Sequence, residues 1–325
     1  MDQPRLGEGE LLVEISLATV CGSDLHTLDG RRSAPAPCVL GHEAVGRVVD
    51  LNGSANPSLL GHRVTWSIAS SCGNCQPCRH WALPQKCDQL FKYGHAALDD
   101  GSGLNGCYAS HIVLRPGTFV LPIPDSLPDC MIAPANCALA TMVAALEPFS
   151  TAGRLAVIQG AGLLGIYGCA LLKQAGWERV VVVDKHPGRL ELVPLFGGEP
   201  AHISARPVVD LGSVDLVIEL TGSPAVIREG VDLLRPGGHY ALVGMVHPDS
   251  LLNVTGEAII RKCLTLRGTH NYAPKHLLAA VRFLENQQRT FPWRQLVAPA
   301  LPLESIDDVI SLARSSAWTR AAIRP

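Results

Sequence analysis

The chain has 325 residues, 47% of them apolar, with 31 glycines, 24 prolines and a formal net charge of −2. That length supports two domains with real cores, and scarce aromatics among many turn formers suit an α/β protein better than a helical bundle. The near-neutral balance, with no long basic run, excludes nucleic-acid or membrane-surface binding by bulk electrostatics.

The N-terminal stretch MDQPRLGEGELLVEI lacks the basic start and apolar core of a signal peptide. No apolar stretch reaches a spanning length, so a cytoplasmic protein is expected. The first 138 residues read as β-rich and irregular. Glu10–Leu17, Ala44–Leu51, Arg63–Ile68 and Ser110–Arg115 carry β-branched residues between glycine, proline and polar turns. The texture changes near Pro128–Pro134. From about Leu139, helix-like and strand-like segments alternate. Leu155–Gln159 and Val180–Val183 are short and almost wholly apolar, as strands of a parallel sheet buried on both faces must be. Gly165–Gly176 between them has helical spacing. Val214–Glu219 and His239–Val243 continue a βαβ rhythm that argues for a doubly wound sheet. Pro274–Asn286 reads as an amphipathic helix, and Leu301–Pro325 closes with a helix and a short strand.

Eleven cysteines are many for a chain of this kind. A disulfide framework suits small secreted domains, so metal ligation is the better reading and spacing has to decide it. Cys72, Cys75, Cys78 and Cys87 form one cluster, with two-residue spacers that let a tight loop turn successive thiolates inward. Four sulfurs satisfy a tetrahedral zinc and leave no open position, so a structural zinc is expected there, ahead of an iron–sulfur cluster or unligated thiols. Upstream, Cys21 in Val20-Cys-Gly-Ser-Asp-Leu-His26 and His42 in Gly41-His-Glu43 offer a thiolate and an imidazole, either of which alone is more often structural. Gly61-His62-Arg63 echoes the second motif without its acid and is read as a turn. Cys38, Cys107, Cys130, Cys169 and Cys263 have no partner spacing and are read as packing residues or inert thiols.

Gly160-Ala-Gly162-Leu163-Leu164-Gly165 follows an apolar strand and opens a helix, which makes it a strong dinucleotide signal. Gly160 permits the tight turn, Gly162 lets the backbone approach the pyrophosphate, and Gly165 allows close helix–strand packing. The helix N-terminus attracts phosphate. Asp184 ends the next strand, where a carboxylate can bind both ribose hydroxyls and would repel a 2′-phosphate. NAD is therefore favoured over NADP, with Lys185 beside it as the opposing feature.

Taken in order over nearly the whole chain, Cys21-Gly-Ser-Asp-Leu-His26, Gly41-His-Glu43, the four-cysteine loop and the glycine turn resemble the zinc-dependent medium-chain alcohol dehydrogenases. Ala18-Thr-Val-Cys-Gly-Ser-Asp-Leu-His26, Leu83-Pro-Gln-Lys-Cys87, Phe91-Lys-Tyr-Gly-His95 and Pro134-Ala-Asn-Cys137 are similar to the members associated with phosphonate catabolism. The resemblance implies an α/β fold with a GroES-like, partly open β-barrel catalytic domain at residues 1–138 and 269–325. It puts a Rossmann NAD-binding domain at 139–268, with the active site in the cleft between them. It implies a catalytic zinc on Cys21, His42 and Cys137, Asp24 orienting His42, and Glu43 close to the metal as a transient ligand. Ser23 would hydrogen-bond the substrate oxygen and pass its proton through the cofactor ribose towards His26. Thr141, Thr221 and Arg320 would contact the cofactor, Arg320 at the pyrophosphate. Two zinc ions per chain, NAD, an alcohol/aldehyde pair and a homodimer or homotetramer are expected, with no nucleic-acid or membrane partner.

For the substrate, Arg31 and Arg32 follow the Cys21–His26 segment, in a loop that lines the substrate cleft of that family. An arginine fork at Arg32 would suit a phosphonate or carboxylate, with Lys92 and His270 as further cations. Alternatives are a solvated basic turn with a polyol, threonine-like or simple alcohol as substrate, or a non-catalytic NAD- and zinc-binding sensor or structural protein. Three departures from the family pattern stand out. The chain starts about twenty residues late, which predicts an exposed sheet edge or a weakened zinc domain. The Arg79–Lys86 spacer has eight residues where seven is usual, predicting a bulge near Trp81. The segment from Ala205 to Val214 is short where a helix is usual.

Overall fold

The computed structural model describes residues 4–53, 55–149, 151–205, 208–315 and 317–325. The chain divides into two compact units, Met1–Ala140 with Asn271–Pro325, and Thr141–His270.

The first unit begins with six strands, Leu11–Thr19 (β1), Glu43–Leu51 (β2), Arg63–Ser70 (β3), Phe91–Lys92 (β4), His111–Leu114 (β5) and Thr118–Pro122 (β6). β1 is antiparallel to both β2 and β5, and nearly all its side chains are buried. β1 is therefore an interior strand of the sheet. Val13, Ile15, Trp66, Tyr93, Ile112 and Leu114 share one apolar core. The register pairs Thr19 with Glu43. Because β1 runs out into Cys21 and β2 starts directly after His42, that pairing brings both residues to the same end of two neighbouring strands.

The second unit is a six-stranded sheet of Leu155–Gln159 (β7), Arg179–Asp184 (β8), Glu199–His202 (β9), Val214–Glu219 (β10), Leu234–Leu242 (β11) and Thr265–Gly268 (β12). Every neighbour pair is parallel, in the order β12-β11-β10-β7-β8-β9. Counted within the unit, this is the 3-2-1-4-5-6 order of doubly wound nucleotide-binding sheets, with its switch point between β7 and β10. β7 is wholly buried, as a strand covered on both faces requires. The described residues from Ile203 to Ser213 form no helix or strand. The chain returns to the first unit with Leu301–Pro302 (β13) and Ala322–Arg324 (β14), and β14 pairs with the end of β1. Among the described residues no single helix is long and apolar enough to cross a membrane.

Candidate functional site

At the shared end of β1 and β2, ligand atoms of Cys21, His42, Glu43 and Cys137 all lie within 4.8 Å of one another. Cys21 stands just before the helix Gly22–Leu28, and Cys137 follows the short helical turn Ala133–Asn136. Asn136 fixes that turn by donating from Nδ2 to the carbonyls of His42 (3.0 Å) and Trp66 (3.1 Å). Asp24 is fully buried. Its Oδ2 accepts from the Cys21 backbone N–H at 3.0 Å and from the Tyr108 hydroxyl at 2.8 Å, while Oδ1 lies 3.3 Å from His42 Nδ1. The opposite ring nitrogen, Nε2, is 3.5 Å from Ser23 Oγ. Gly41 is needed where it is: at φ +91, an added Cβ would come within 2.5 Å of the Tyr108 ring.

The electrostatics suit a cation among these groups. The Cys137 thiol hydrogen-bonds Cys21 and, against burial and with help from Arg320, holds the Cys21 thiol well below its ordinary range. The same contact, with burial, keeps Cys137 well above it. Burial works against a charged His42, but the Asp24 carboxylate and Cys21 outweigh it and raise the imidazole to about 10. Two thiols, an imidazole and a carboxylate this close compete for protons, with Cys21 pushed down while Cys137, His42 and Glu43 are pushed up. A divalent cation removes that conflict, and zinc takes this donor set while keeping one exchangeable position.

Glu43 and Arg320 form the other half of the cluster. Arg320 Nε and Nη2 donate to the two Glu43 oxygens at 2.8 and 3.0 Å, and Thr19 Oγ1 donates to Glu43 Oε2 at 2.7 Å. Arg320 Nη2 is also 3.8 Å from Cys21 Sγ. The immediate partner of Arg320 is thus a carboxylate beside the metal ligands, where the sequence suggested a pyrophosphate. Burial pushes Glu43 up to about 7, with Arg320 pulling the other way.

The four-cysteine loop is equally compact. Cys75 Sγ lies 3.3 Å from Cys78 Sγ and 3.7 Å from Cys87 Sγ. Sulfurs about 2.3 Å from a tetrahedral zinc are about 3.8 Å apart, so the loop fits that ion. Backbone N–H groups of Asn74 and Cys75 donate to Cys72 Sγ at 3.4 Å and hold its thiol down to about 6. The long spacer before Cys87 turns through a left-handed Ala82 (φ 54) and leaves Trp81 57% exposed.

In the second unit, Gly162 precedes the helix Leu163–Gln174 with open space where a Cβ would stand, leaving room for a ligand at the helix N-terminus. Gly160 has φ +116, and an added Cβ would sit 3.3 Å from Thr221 Cγ2, so the glycine turn and Thr221 meet at the β7/β10 switch point. At Gly165 a Cβ would approach the Gly160 carbonyl oxygen to 2.0 Å. Gly165→Ala is therefore expected to open the turn and weaken NAD binding by tenfold or more, about 1.4 kcal/mol, as titration of cofactor fluorescence would measure. Asp184 is buried, with Oδ2 accepting from Ala161 N and Oδ1 from His186 N, both at 2.8 Å. A carboxylate has about four lone-pair directions, so both oxygens keep capacity for ribose hydroxyls. Leu163 is buried and Leu164 half-buried at the helix start. Thr141 lies in the helix Ala138–Leu146 and His270 ends the unit; neither joins the glycine turn in the contacts above.

Other sequence candidates separate. Arg31 is engaged by Asp29 at 2.5 Å, whereas Arg32 is half-buried. His26 lies on the helix Gly22–Leu28 with Ser23 and Asp24. Cys107 and Cys169 are buried, and Cys263 is exposed. Tyr108, Asn136, Thr19 and Glu219 were not singled out from sequence. Glu219 caps the switch point by accepting from Thr221 N (2.5 Å), Gly222 N (2.6 Å) and Gly244 N (3.1 Å). A buried acid at the end of an apolar strand was the one signal for it.

Comparison with known proteins agrees with this geometry. Residues 7–125 match the alcohol dehydrogenase GroES-like domain, and residues 132–315 match the glucose dehydrogenase C-terminus. The chain is 29% identical over 285 residues to an L-threonine 3-dehydrogenase of Escherichia fergusonii, covering 82% of this chain and 79% of that one. It is 30% identical to the L-threonine 3-dehydrogenase of a Chelativorans species, covering 82% and 78%. Among solved structures, an alcohol dehydrogenase from Thermotoga maritima superposes with a TM-score of 0.89 at 30% identity, over 99% of this chain and 93% of that one. The first unit is thus a GroES-like domain and the second a Rossmann-like sheet, and the chain belongs to the zinc-type medium-chain alcohol dehydrogenase family of oxidoreductases.

Proposed function

We propose that the protein oxidises a small alcohol with NAD, or reduces the corresponding aldehyde or ketone. Cys21, His42 and Cys137 would hold a catalytic zinc, and Cys72, Cys75, Cys78 and Cys87 a structural one. The observation that carries this reading is the cluster of Cys21, His42, Glu43 and Cys137 donors within 4.8 Å, backed by the buried Asp24. When bound, zinc supplies the charge that acidifies an alcohol hydroxyl, and NAD accepts the hydride.

The chain's own residues do the rest. Asp24 holds His42 by Nδ1, which directs the other ring nitrogen to the cluster. Ser23 Oγ, 3.5 Å from His42 Nε2, would hydrogen-bond the substrate hydroxyl and take part in moving its proton away, with His26 further along the same helix. Glu43, clamped by Arg320 and Thr19, keeps a carboxylate next to the ligands as a transient fourth donor. In the second unit, Asp184 would receive the adenosine ribose and favour NAD over NADP, the glycine turn would receive the pyrophosphate, and Thr141 and Thr221 would line the cofactor.

For the substrate, a phosphonate-bearing alcohol such as hydroxyethylphosphonate, with phosphonoacetaldehyde as product, is preferred on the sequence pattern. A threonine-like alcohol or polyol is favoured by the relatives. We also read the protein as a cytoplasmic homodimer or homotetramer. Support for assembly comes from the edge strand β12 and the exposed Leu251 (64%) and Ile260 (76%) of the same unit. The test is NAD reduction by zinc-loaded protein across phosphonate, carboxylate and neutral alcohols. Turnover of any of them is the expected result; NAD binding with two zincs and no turnover would leave a non-catalytic sensor.

A further inference from the structure

Lys92 lies in β4, paired with Ala69 of β3, and starts a turn closed by His95 N donating to the Lys92 carbonyl at 3.3 Å. That turn presses on the metal-site loop. A Cβ at Gly94 would stand 2.5 Å from the Gly41 carbonyl oxygen, and the His95 ring lies 5.4 Å from the His42 ring. Neither His95 ring nitrogen has a hydrogen-bond partner, and both are buried.

The charges around this turn do not balance. Burial first, then the Arg32 charge, lowers the Lys92 ammonium to about 8, so it is still mostly protonated at neutral pH. Arg32 acts on His95 as well. Among the described residues, neither the Lys92 ammonium nor the Arg32 guanidinium makes a side-chain hydrogen bond or ion pair, in contrast to Arg31 on Asp29. The groups that favour the Lys92 ammonium are the Cys137 and Cys21 sulfurs and Asp24. Each has another role: the thiols face the metal position, and Asp24 is held by Cys21 N, Tyr108 and His42. Two half-buried cations that repel one another, with no counter-ion of their own, cost free energy unless an anion joins them.

We propose that this anion belongs to the substrate: the protein takes a short-chain alcohol bearing a carboxylate or phosphonate, which Lys92 and Arg32 bind. This rests on the dehydrogenase reading above and narrows it to one class of alcohol. Lys92 contributes a half-buried point charge and Arg32 a planar fork. The anion then lies within a few atoms of the reacting carbon, because the Lys92–His95 turn packs against His42.

The experiment pairs each anionic alcohol with a neutral analogue of similar shape: 2-hydroxyethylphosphonate and 3-hydroxybutyrate against 1-propanol and 1,3-butanediol. The wild type should favour at least one anion in kcat/KM by 100-fold or more, mainly through KM. Lys92→Met should reduce that preference at least tenfold, Lys92→Arg should restore part of it, and Arg31→Met should leave it in place. The phosphonate and carboxylate arms tell which anion is meant. Calorimetric titration with ethylphosphonate and propionate supplies a readout independent of turnover, and Lys92→Met should weaken the binding seen. Equal use of neutral alcohols, with turnover intact, would overturn the anion site and keep the dehydrogenase. Anion binding that depends on Lys92 without turnover of any alcohol would sustain the site and sink the dehydrogenase. Neither binding nor preference for an anion would overturn the proposal outright.

Discussion

Cys137→Ala is expected to lower zinc content from two ions per chain to one and to cut NAD reduction by about 10³-fold or more. Lewis-acid stabilisation contributes several kcal/mol, and each ~1.4 kcal/mol is a factor of ten. The variant should still fold, because Cys137 is only half-buried and its turn is anchored by Asn136 to His42 and Trp66 rather than by its own side chain. Circular dichroism, metal analysis and steady-state rates on one preparation separate the effects. An unchanged metal count with full activity would show that the third ligand lies elsewhere. Metal binding requires deprotonated thiols and imidazole, so the wild-type zinc content should also fall as pH is lowered.

Arg320→Met is expected to destabilise the first unit by about 3–5 kcal/mol, because it leaves the buried Glu43 carboxylate without its cation. Glu43 is already raised to about 7 by burial, with Arg320 opposing. Removing Arg320 therefore shifts the carboxyl further towards its protonated form. The double variant Glu43→Gln/Arg320→Met should recover a large part of the loss, since it removes the uncompensated charge. Denaturant unfolding of the three proteins measures this. A loss under about 1 kcal/mol in the single variant would mean that water or another group takes over the role of Arg320.

What was legible in the sequence follows the distance over which each feature is built. The four cysteines of the Cys72–Cys87 loop and the Gly160–Gly165 turn do their work within a short stretch, so spacing alone announced them. The alternating pattern after Leu139 announced a parallel sheet because strands such as Leu155–Gln159 must be apolar on both faces. Cys21 and His42 meet only through the β1/β2 register, and Cys137 comes from a separate turn, so family likeness was needed to join them. Arg320 and Glu43 are 277 residues apart, and Tyr108 and Asp24 are 84 apart. No local periodicity encodes such contacts. For Arg320 the sequence accordingly suggested a phosphate and gave no sign of the Glu43 carboxylate that it holds. Lys92 was named from the sequence only as a further cation beside Arg32, because its burial and its lack of a side-chain partner among the described residues come from the fold.

Two zinc ions per chain are expected, one of them in a site with an open position. Anomalous diffraction at the zinc edge on crystals of the purified protein locates them. Two peaks should appear, one enclosed by Cys72, Cys75, Cys78 and Cys87, and one among Cys21, His42 and Cys137. A single peak in the four-cysteine loop, from protein prepared with excess zinc, would contradict this.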